Sequence, residues 1–448
     1  MAYVAYITQL KNLRKHPNAD RLLLGECFGN TVCVGLEYKD PDGGTYAYID
    51  GEIGIYFPTD GQLSVAFCEA NNLVRKKDDA GNNIGGYMDP DKRNVTAIRL
   101  RGEKSDGLFL PLCCLTTFGD ITTLKVGDTI DVFNGHEICC KYIPRSNKRT
   151  RSTNGTNKKK VKKAPTAPLF TEHIDTSQLA YNLGDFKPGD LVEITLKMHG
   201  TSQRTGYLPT LQKYKRTIWD RITGKAGTPI YDWSYVSGTR RTVLENYEGG
   251  FYGSNTFREQ HSKVFEGKLR KGETVYYEVV SFTDTGMPIM GAGKVPKEEQ
   301  DRYGTEMIFH YGREEGSDLY VYRMTMTNED GDVVEYTPDF MRYRCEQMGV
   351  KTVPVLWSGF IPEHPGSKDD PTITAGEWIN NVAEMYYDGP DPIGKNHVRE
   401  GVVVRIINRP KFAAYKHKNF LFKQISGIIK DNDITTSSDI SEDILAEM

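Results

Sequence analysis

Residues 194–202 read ITLKMHGTS. An apolar, strand-like run ends on a lysine, Lys197, and the chain turns two residues later at His199-Gly200. Extended upstream to LVEITLK, the stretch alternates. Val192, Ile194 and Leu196 face one way, while Glu193, Thr195 and Lys197 face the other. One face suits a core and the other a polar cleft. Gly200 permits a sharp turn or a close approach to a ligand. A lysine on a cleft wall becomes a nucleophile when neighbouring cations or a metal ion disfavour its charged form. A surface hairpin carries the same pattern, so the meaning of the stretch depends on its company.

That company lies downstream. Residues 274–280, TVYYEVV, form a strand pattern with one acid, Glu278, among aromatic and β-branched residues. A half-buried carboxylate is costly unless something pairs with it. Residues 400–406, EGVVVRI, form another, with Glu400 at its mouth. In YKHKNFLFK, 415–423, two-residue spacing sets Lys416 and Lys418 on one face of an extended segment. Two parallel ammonium groups repel unless an anion sits between them, and a triphosphate is a natural one. Each segment alone also fits a solvated strand face.

The 448-residue chain is long enough for two or three domains with proper cores. It has no run of 18 apolar residues, so no membrane span is expected. The opening, MAYVAYITQLKNLRKHPNAD, is broken early by Gln9 and Lys11 and reads poorly as a signal peptide. A cytoplasmic protein is expected. Seven of the eight cysteines lie in the first 140 residues, without a CxxC pair, so buried free thiols are expected rather than a zinc site. Net charge is −3, but residues 141–163 carry ten Lys or Arg and no acid, which leaves the rest at −13. Such a block is a solvated linker, a polyanion-binding arm, or both.

The basic block divides the chain. Before it, AYVAYIT, NTVCVGL, TYAYI, EIGIYF, TAIRLR and DGLFLPL are short strand patterns separated by turns, which predicts a small all-β barrel or sandwich. After it, strands alternate with a few helices. AGEWINNVAEMYY, 375–387, is one, with Trp378, Ile379, Val382, Met385 and Tyr386 on one face and a Thr374/Glu377 capping-box pattern. DFMRYRCEQM, 339–348, is a second. The acidic end reads as a short helix or a frayed tail.

Lysine-x-His-Gly, then strand-Glu, then Glu-Gly-x-Val, then Lys-x-Lys resembles the motif set of the covalent nucleotidyltransferases. These are the ATP-dependent DNA ligases, the RNA ligases and the mRNA-capping guanylyltransferases. The resemblance covers about 185–430, and KMHGTS, with His instead of Asp, is more similar to RNA ligases. LRKHPNADRLLLGEC, GEIGIYFPTDGQLS and IRLRGEKSDGLFLPL resemble the N-terminal OB-fold module of one RNA ligase class. DNA ligases and capping enzymes carry theirs after the catalytic domain, and the 18 residues beyond Lys430 are read as too few for one.

The resemblance implies a multidomain fold. An all-β, OB-like RNA-binding domain would span 1–140 and a basic flexible linker 141–165. An α+β nucleotidyltransferase domain (ATP-grasp-like or DNA-ligase-like) with antiparallel sheets would span 166–430, and an acidic C-terminal tail 431–448. It implies that Lys197 attacks the α-phosphate of ATP to form lysyl–AMP. The AMP then passes to the 5′-phosphate of an RNA, and a 3′-hydroxyl end displaces it, as in RNA repair. Lys416 and Lys418 would neutralise the α-phosphate. Glu278 and Glu400 would hold Mg2+ (or Mn2+) or a ribose hydroxyl. Arg240, in preference to Arg241, would contact ribose and phosphate. Tyr322 would stack on adenine, with Tyr320 and Phe309 as rivals. His199 and Gly200 would border the nucleotide. Some relatives carry Asp where this chain has His199, and a neutral imidazole cannot replace that charge. It would contact phosphate or finish the turn, and the number of metal ions stays open. Arg99, Arg101 and Lys104 would meet the 3′-hydroxyl strand. The expected enzyme is a monomeric, ATP-dependent RNA ligase. The alternatives are a non-catalytic RNA- or tRNA-binding OB protein, since HPNADRL is also similar to tRNA-binding OB domains, and a DNA ligase or guanylyltransferase.

Overall fold

The structure is a computed structural model. It describes residues 3–40, 43–76, 86–142, 164–223, 227–244, 246–248, 252, 254–366 and 372–432, with backbone only at 221–223 and 427–432. Most of the basic block and the tail beyond 432 lie outside the described residues, and so do the expectations placed on them. The chain divides into two compact units. One is Met1–Ser146 with Phe420–Ile434, and the other is Asn147–Asn419 with Thr435–Met448. The sequence reading ran the second domain on to residue 430, whereas the contacts give the helix from Phe420 to the first unit.

All six strand patterns of the first unit fall on strands. An antiparallel four-stranded sheet has the order β4-β2-β1-β5, where β1 is Ala5–Gln9, β2 Ile53–Phe57, β4 Leu108–Pro111 and β5 Thr129–Ile130. Ile7, Ile55, Phe57, Phe67 and Leu115 sit in its core. The strand Ala97–Leu100, β3, carries Arg99 and pairs it with Lys104 across a hairpin whose turn is Arg101-Gly102. The guanidinium of Arg99 and the ammonium of Lys104 lie over the ring of Phe420, 5.6 and 5.3 Å from its centroid. All eight cysteines are free, and five are buried.

The second unit contains two five-stranded sheets. The first has the order β6-β15-β14-β7-β13, from β6 Ser177–Gln178, β7 Leu191–Leu196, β13 Val355–Phe360, β14 Gly401–Ile406 and β15 Ala413–Lys418. The second has the order β9-β8-β10-β11-β12, from β8 Thr201–Lys215, β9 Thr228–Gly238, β10 Glu273–Ser281, β11 Ser317–Thr327 and β12 Val333–Glu335. Neighbours in both sheets run antiparallel, apart from the short parallel contact of β6 with β15. The chain leaves the first sheet at Leu196 and enters the second at Thr201. Lys197 therefore sits at the crossing between sheets.

The alternation in LVEITL positions β7. Val192 and Ile194 enter the core of the first sheet with Val402, Val404, Ile379 and Val382. The last two belong to the helix Ala375–Tyr387, whose Thr374/Glu377 capping box is formed. Met385 departs from expectation and is 69% exposed. The buried arc centres on Ile379, Val382 and Ala383, and at 100° per residue Met385 falls outside it. The helix Pro338–Met348 starts with Thr337 capping the Phe340 N–H and Pro338 in its first turn, and ends at Gly349 with φ +68°. Among the described residues no helix is long and apolar enough to cross a membrane.

Candidate active site

Strand register builds the floor of a cleft in the second unit. Glu193 pairs with Arg405, and Arg405 with Ala414. Thr195 pairs with Val403, and Val403 with Lys416. The Lys197 N–H donates to the Gly401 carbonyl at 3.0 Å, and Gly401 pairs with Lys418. Side chains two residues apart share a face, so these three rows present Glu193, Thr195, Lys197, Val403, Arg405, Ala414, Lys416 and Lys418 together. All eight line the cleft. The second sheet contributes Ser202 and Glu278, which are directly opposed in the β8–β10 pairing. It also contributes Tyr322, beside a register shift opposite Tyr276 and Tyr277. A bulge of this kind re-aims a side chain. The Tyr322 and Ser202 hydroxyls share a 2.9 Å hydrogen bond.

Glu400 lies behind this floor, with its side chain 1% exposed. Its Oε1 is 2.8 Å from Lys197 Nζ and 3.4 Å from Lys418 Nζ, and its Oε2 is 3.7 Å from His199 Nδ1. Burial alone would raise the Glu400 carboxyl. The Lys197 and Lys418 charges, with His199, overcome that and hold it well below the usual carboxylate range. Gly401 makes the strand start possible. Its φ is +143°, and a Cβ there would stand 2.1 Å from the His417 carbonyl oxygen. Lys416 is also lowered, to about 7, by burial first and then by the Lys418 and Lys197 charges, which for a lysine disfavours the charged form.

Several expected residues take other places. His199 is not on the cleft wall. Its ring is buried edge-on to Phe309, with centroids 4.6 Å apart, and its backbone N–H donates to the Tyr311 hydroxyl. Its Nδ1 faces Glu400 Oε2 at 3.7 Å. Gly200 does not border the cleft either; a Cβ on it would meet the Val279 carbonyl oxygen at 2.3 Å. Its lack of a side chain allows close strand packing. Arg240 lines the cleft and pairs with Asp175, while Arg241 reaches the same carboxylate at 3.9 Å. Tyr320 and Phe309 are both buried.

Other cleft residues escaped the sequence reading. His173 precedes β6 and stands edge-on to Tyr322 at 5.0 Å, with Arg323 3.4 Å from its Nδ1. Burial, then the Arg323 and Arg240 charges, push it well below its usual range, so it is neutral. Arg323 itself lies between the rings of Tyr276 and Phe412, at 4.6 and 4.7 Å, and is bonded to Glu335. Arg342 donates to Glu193 at 2.7 Å. Glu193 and Arg405 carried a signal in the two-residue alternation. His173 and Phe412 are isolated in sequence and carried none.

The cleft thus has a cationic end, formed by Lys197, Lys416, Lys418 and Arg240, and an aromatic end around Tyr322, His173 and Phe412. Such a site suits a nucleotide, with phosphates at one end and a base at the other. No protein-family model matches the chain, and no curated protein matches it. Solved structures do. An apo mutant of Naegleria gruberi RNA ligase is similar at TM-score 0.53 and 16% identity, over 94% of this chain and 98% of that one. A mutant of the same ligase with ATP and Mn matches at 0.53 and 16%, over 94% and 98%. The same ligase with pyrophosphate matches at 0.51 and 16%, over 93% and 96%. The chain therefore has the fold of an RNA ligase.

Proposed function

We propose that this protein is an ATP-dependent RNA ligase, of the class with an N-terminal OB-fold module, which seals 5′-phosphate to 3′-hydroxyl RNA ends. One observation carries the reading: Lys197 stands beside Lys418 on one buried carboxylate, with Lys416 close by, at the end of a cleft whose other end is aromatic. ATP would place its base by Tyr322 and its α-phosphate at the lysines. The Lys197 amine then bonds to the α-phosphorus as the bond to pyrophosphate breaks, giving lysyl–AMP. An RNA 5′-phosphate takes the AMP from Lys197, and a 3′-hydroxyl attacks that activated phosphate and releases AMP. Chemistry of this kind is mainly positioning and charge stabilisation. Glu400 fixes Lys197 and Lys418, and Lys416 supplies a charge that a phosphate stabilises.

The residues fit a hard divalent ion such as Mg2+ or Mn2+. Among the described residues no three His, Cys, Asp or Glu form a metal cluster. One or two carboxylates with nucleotide phosphates and water are what such an ion uses. Glu278, on the cleft wall, would hold it directly or through water, with Glu400 behind; when bound it supplies charge to the phosphates. The first unit would carry the RNA. Arg99 and Lys104 would do so only with the share of their charge that Phe420 leaves exposed. The free cysteines support a reducing compartment such as the cytoplasm.

The test is incubation of the full chain with α-labelled ATP and magnesium. Label should become covalently attached, and Lys197→Ala should reduce it to background while still joining pre-adenylylated RNA. Label on Lys197→Ala would sink the assignment. Label from GTP, or sealing of nicked DNA in preference to RNA, would move the protein to a neighbouring class.

A further inference from the structure

Pairing of β8 with β10 ends at Gly206 opposite Thr274, but pairing with β9 runs on to Lys215 opposite Thr228. Beyond Gly206, β8 and β9 continue as a two-stranded ribbon past the edge of the sheet. Its inner face, Leu208 and Val236, packs on Ala167 and Phe170. Its other face is aromatic. Tyr207 and Tyr235 stack at 4.7 Å, and Trp233 lies under the Lys271 ammonium at 5.3 Å. At the tip, the short helix Ile218–Thr223 exposes Ile218 by 75% and Trp219 by 74%. Lys213, Lys215 and Arg216 are exposed just before it. The acid beside them, Asp220, accepts bonds from the Thr217 N–H and hydroxyl.

We infer that the tip of this ribbon is a docking surface for single-stranded RNA, with Trp219 stacking on a base and Lys213 and Lys215 on the backbone. The choice of RNA rests on the ligase reading above. The surface itself rests on composition and placement. Ile218 and Trp219 form one exposed apolar patch flanked by cations, and aromatics interleaved with cations are how single strands are held without sequence preference. The β8 strand leaves the cleft at Ser202 and reaches the tip at Lys215, about 40 Å away at about 3.3 Å per residue. A strand with its end at Lys197 would therefore need about a dozen nucleotides if stacked at about 3.4 Å each, or about half as many if fully extended, to touch Trp219. The ribbon would make the protein prefer long ends over short ones.

The experiment measures binding of 5′-phosphorylated single-stranded RNAs of about 24 and about 3 nucleotides, chosen to lie above and below that span whether stacked or extended. It compares the full chain with a Trp219→Ala, Lys213→Gln, Lys215→Gln variant. The variant should lose about tenfold in affinity for the long RNA. Its slope of log affinity against log salt should be shallower by about 1.4. Its affinity for the short RNA and its labelling by ATP should be unchanged. Equal affinity of the two proteins for the long RNA would overturn the inference and leave the tip to a protein partner; so would an equal loss on the short RNA. Binding is read without ATP, so a wild-type chain that takes no label defeats the ligase reading while the ribbon is still tested.

Discussion

The two ends of the cleft draw on the same residue classes but treat charge in opposite ways. At the aromatic end two arginines are bonded to acids, Arg323 to Glu335, between the rings of Tyr276 and Phe412, and Arg342 to Glu193, while Arg405, over the Phe412 ring, reaches Glu335 at 3.9 Å. At the lysine end Lys197 and Lys418 converge on one oxygen of Glu400, and burial, then the Lys418 and Lys197 charges, drive Lys416 to about 7. At the first end the arginines already have carboxylate partners. The second holds more ammonium groups than Glu400 can balance and is completed by an anion. A buried cation without full compensation costs stability, and here the cost falls where phosphate would relieve it.

The sharpest way to break this comparison is Glu400→Gln. It removes the charge that anchors Lys197 and Lys418, and labelling by ATP should fall about a hundredfold, as expected when reacting groups are misplaced by an ångström. Stability gives a second readout. The folded Glu400 carboxyl lies below its unfolded value of about 4.3, so its contribution is present above that pH and is lost as pH falls from there toward the folded value. Acid unfolding of Glu400→Gln should therefore be flatter below about pH 4.3. An unchanged acid limb would mean the three partners do not hold the carboxylate.

A smaller effect tests Lys416. Between about 7 in the folded chain and about 10.4 unfolded, the unfolded state binds more protons, so stability from this group rises with pH across that window. An arriving polyphosphate restores the charge. Pyrophosphate binding near pH 8 should then take up a proton, visible by calorimetry as a dependence on buffer ionisation enthalpy. Lys416→Arg should abolish the uptake, and Lys416→Ala should weaken binding about tenfold. Uptake that persists in Lys416→Arg would place the titrating group elsewhere. The mildest change belongs to the aromatic end. Tyr322→Ala should raise the KM for ATP about fivefold, in line with one lost stacking contact. Tyr322→Phe, which gives up only the bond to Ser202, should fall closer to wild type. Equal effects of both would argue that the hydroxyl matters and the ring does not.

Much of the lysine end was readable in sequence because it depends on local rules. Alternation over two residues put Glu193, Thr195 and Lys197 on one face and Lys416 with Lys418 on another, and strand register joined those faces into one floor. The helix at 375–387 and its cap were equally local. Met385 was misread because an apolar residue near a buried arc looks like part of it until the opposing sheet is in place. The aromatic end was nearly silent. His173 and Phe412 come from loops, and nothing in their neighbours marks them as facing a common space.

By itself the sequence determined most of the strands and the order of the charged motifs, because strand periodicity and turn chemistry act over a few residues. The tertiary structure decided which charges meet. Only the register of β7, β14 and β15 brings Glu400 under both Lys197 and Lys418, and only the burial of His199 against Phe309 turns that residue from the cleft to the carboxylate below it. Those contacts join distant residues: Lys197 and Glu400 are 203 positions apart, and His199 and Phe309 are 110. Their strength comes from exclusion of water by packed sheets, a property no short stretch of chain carries.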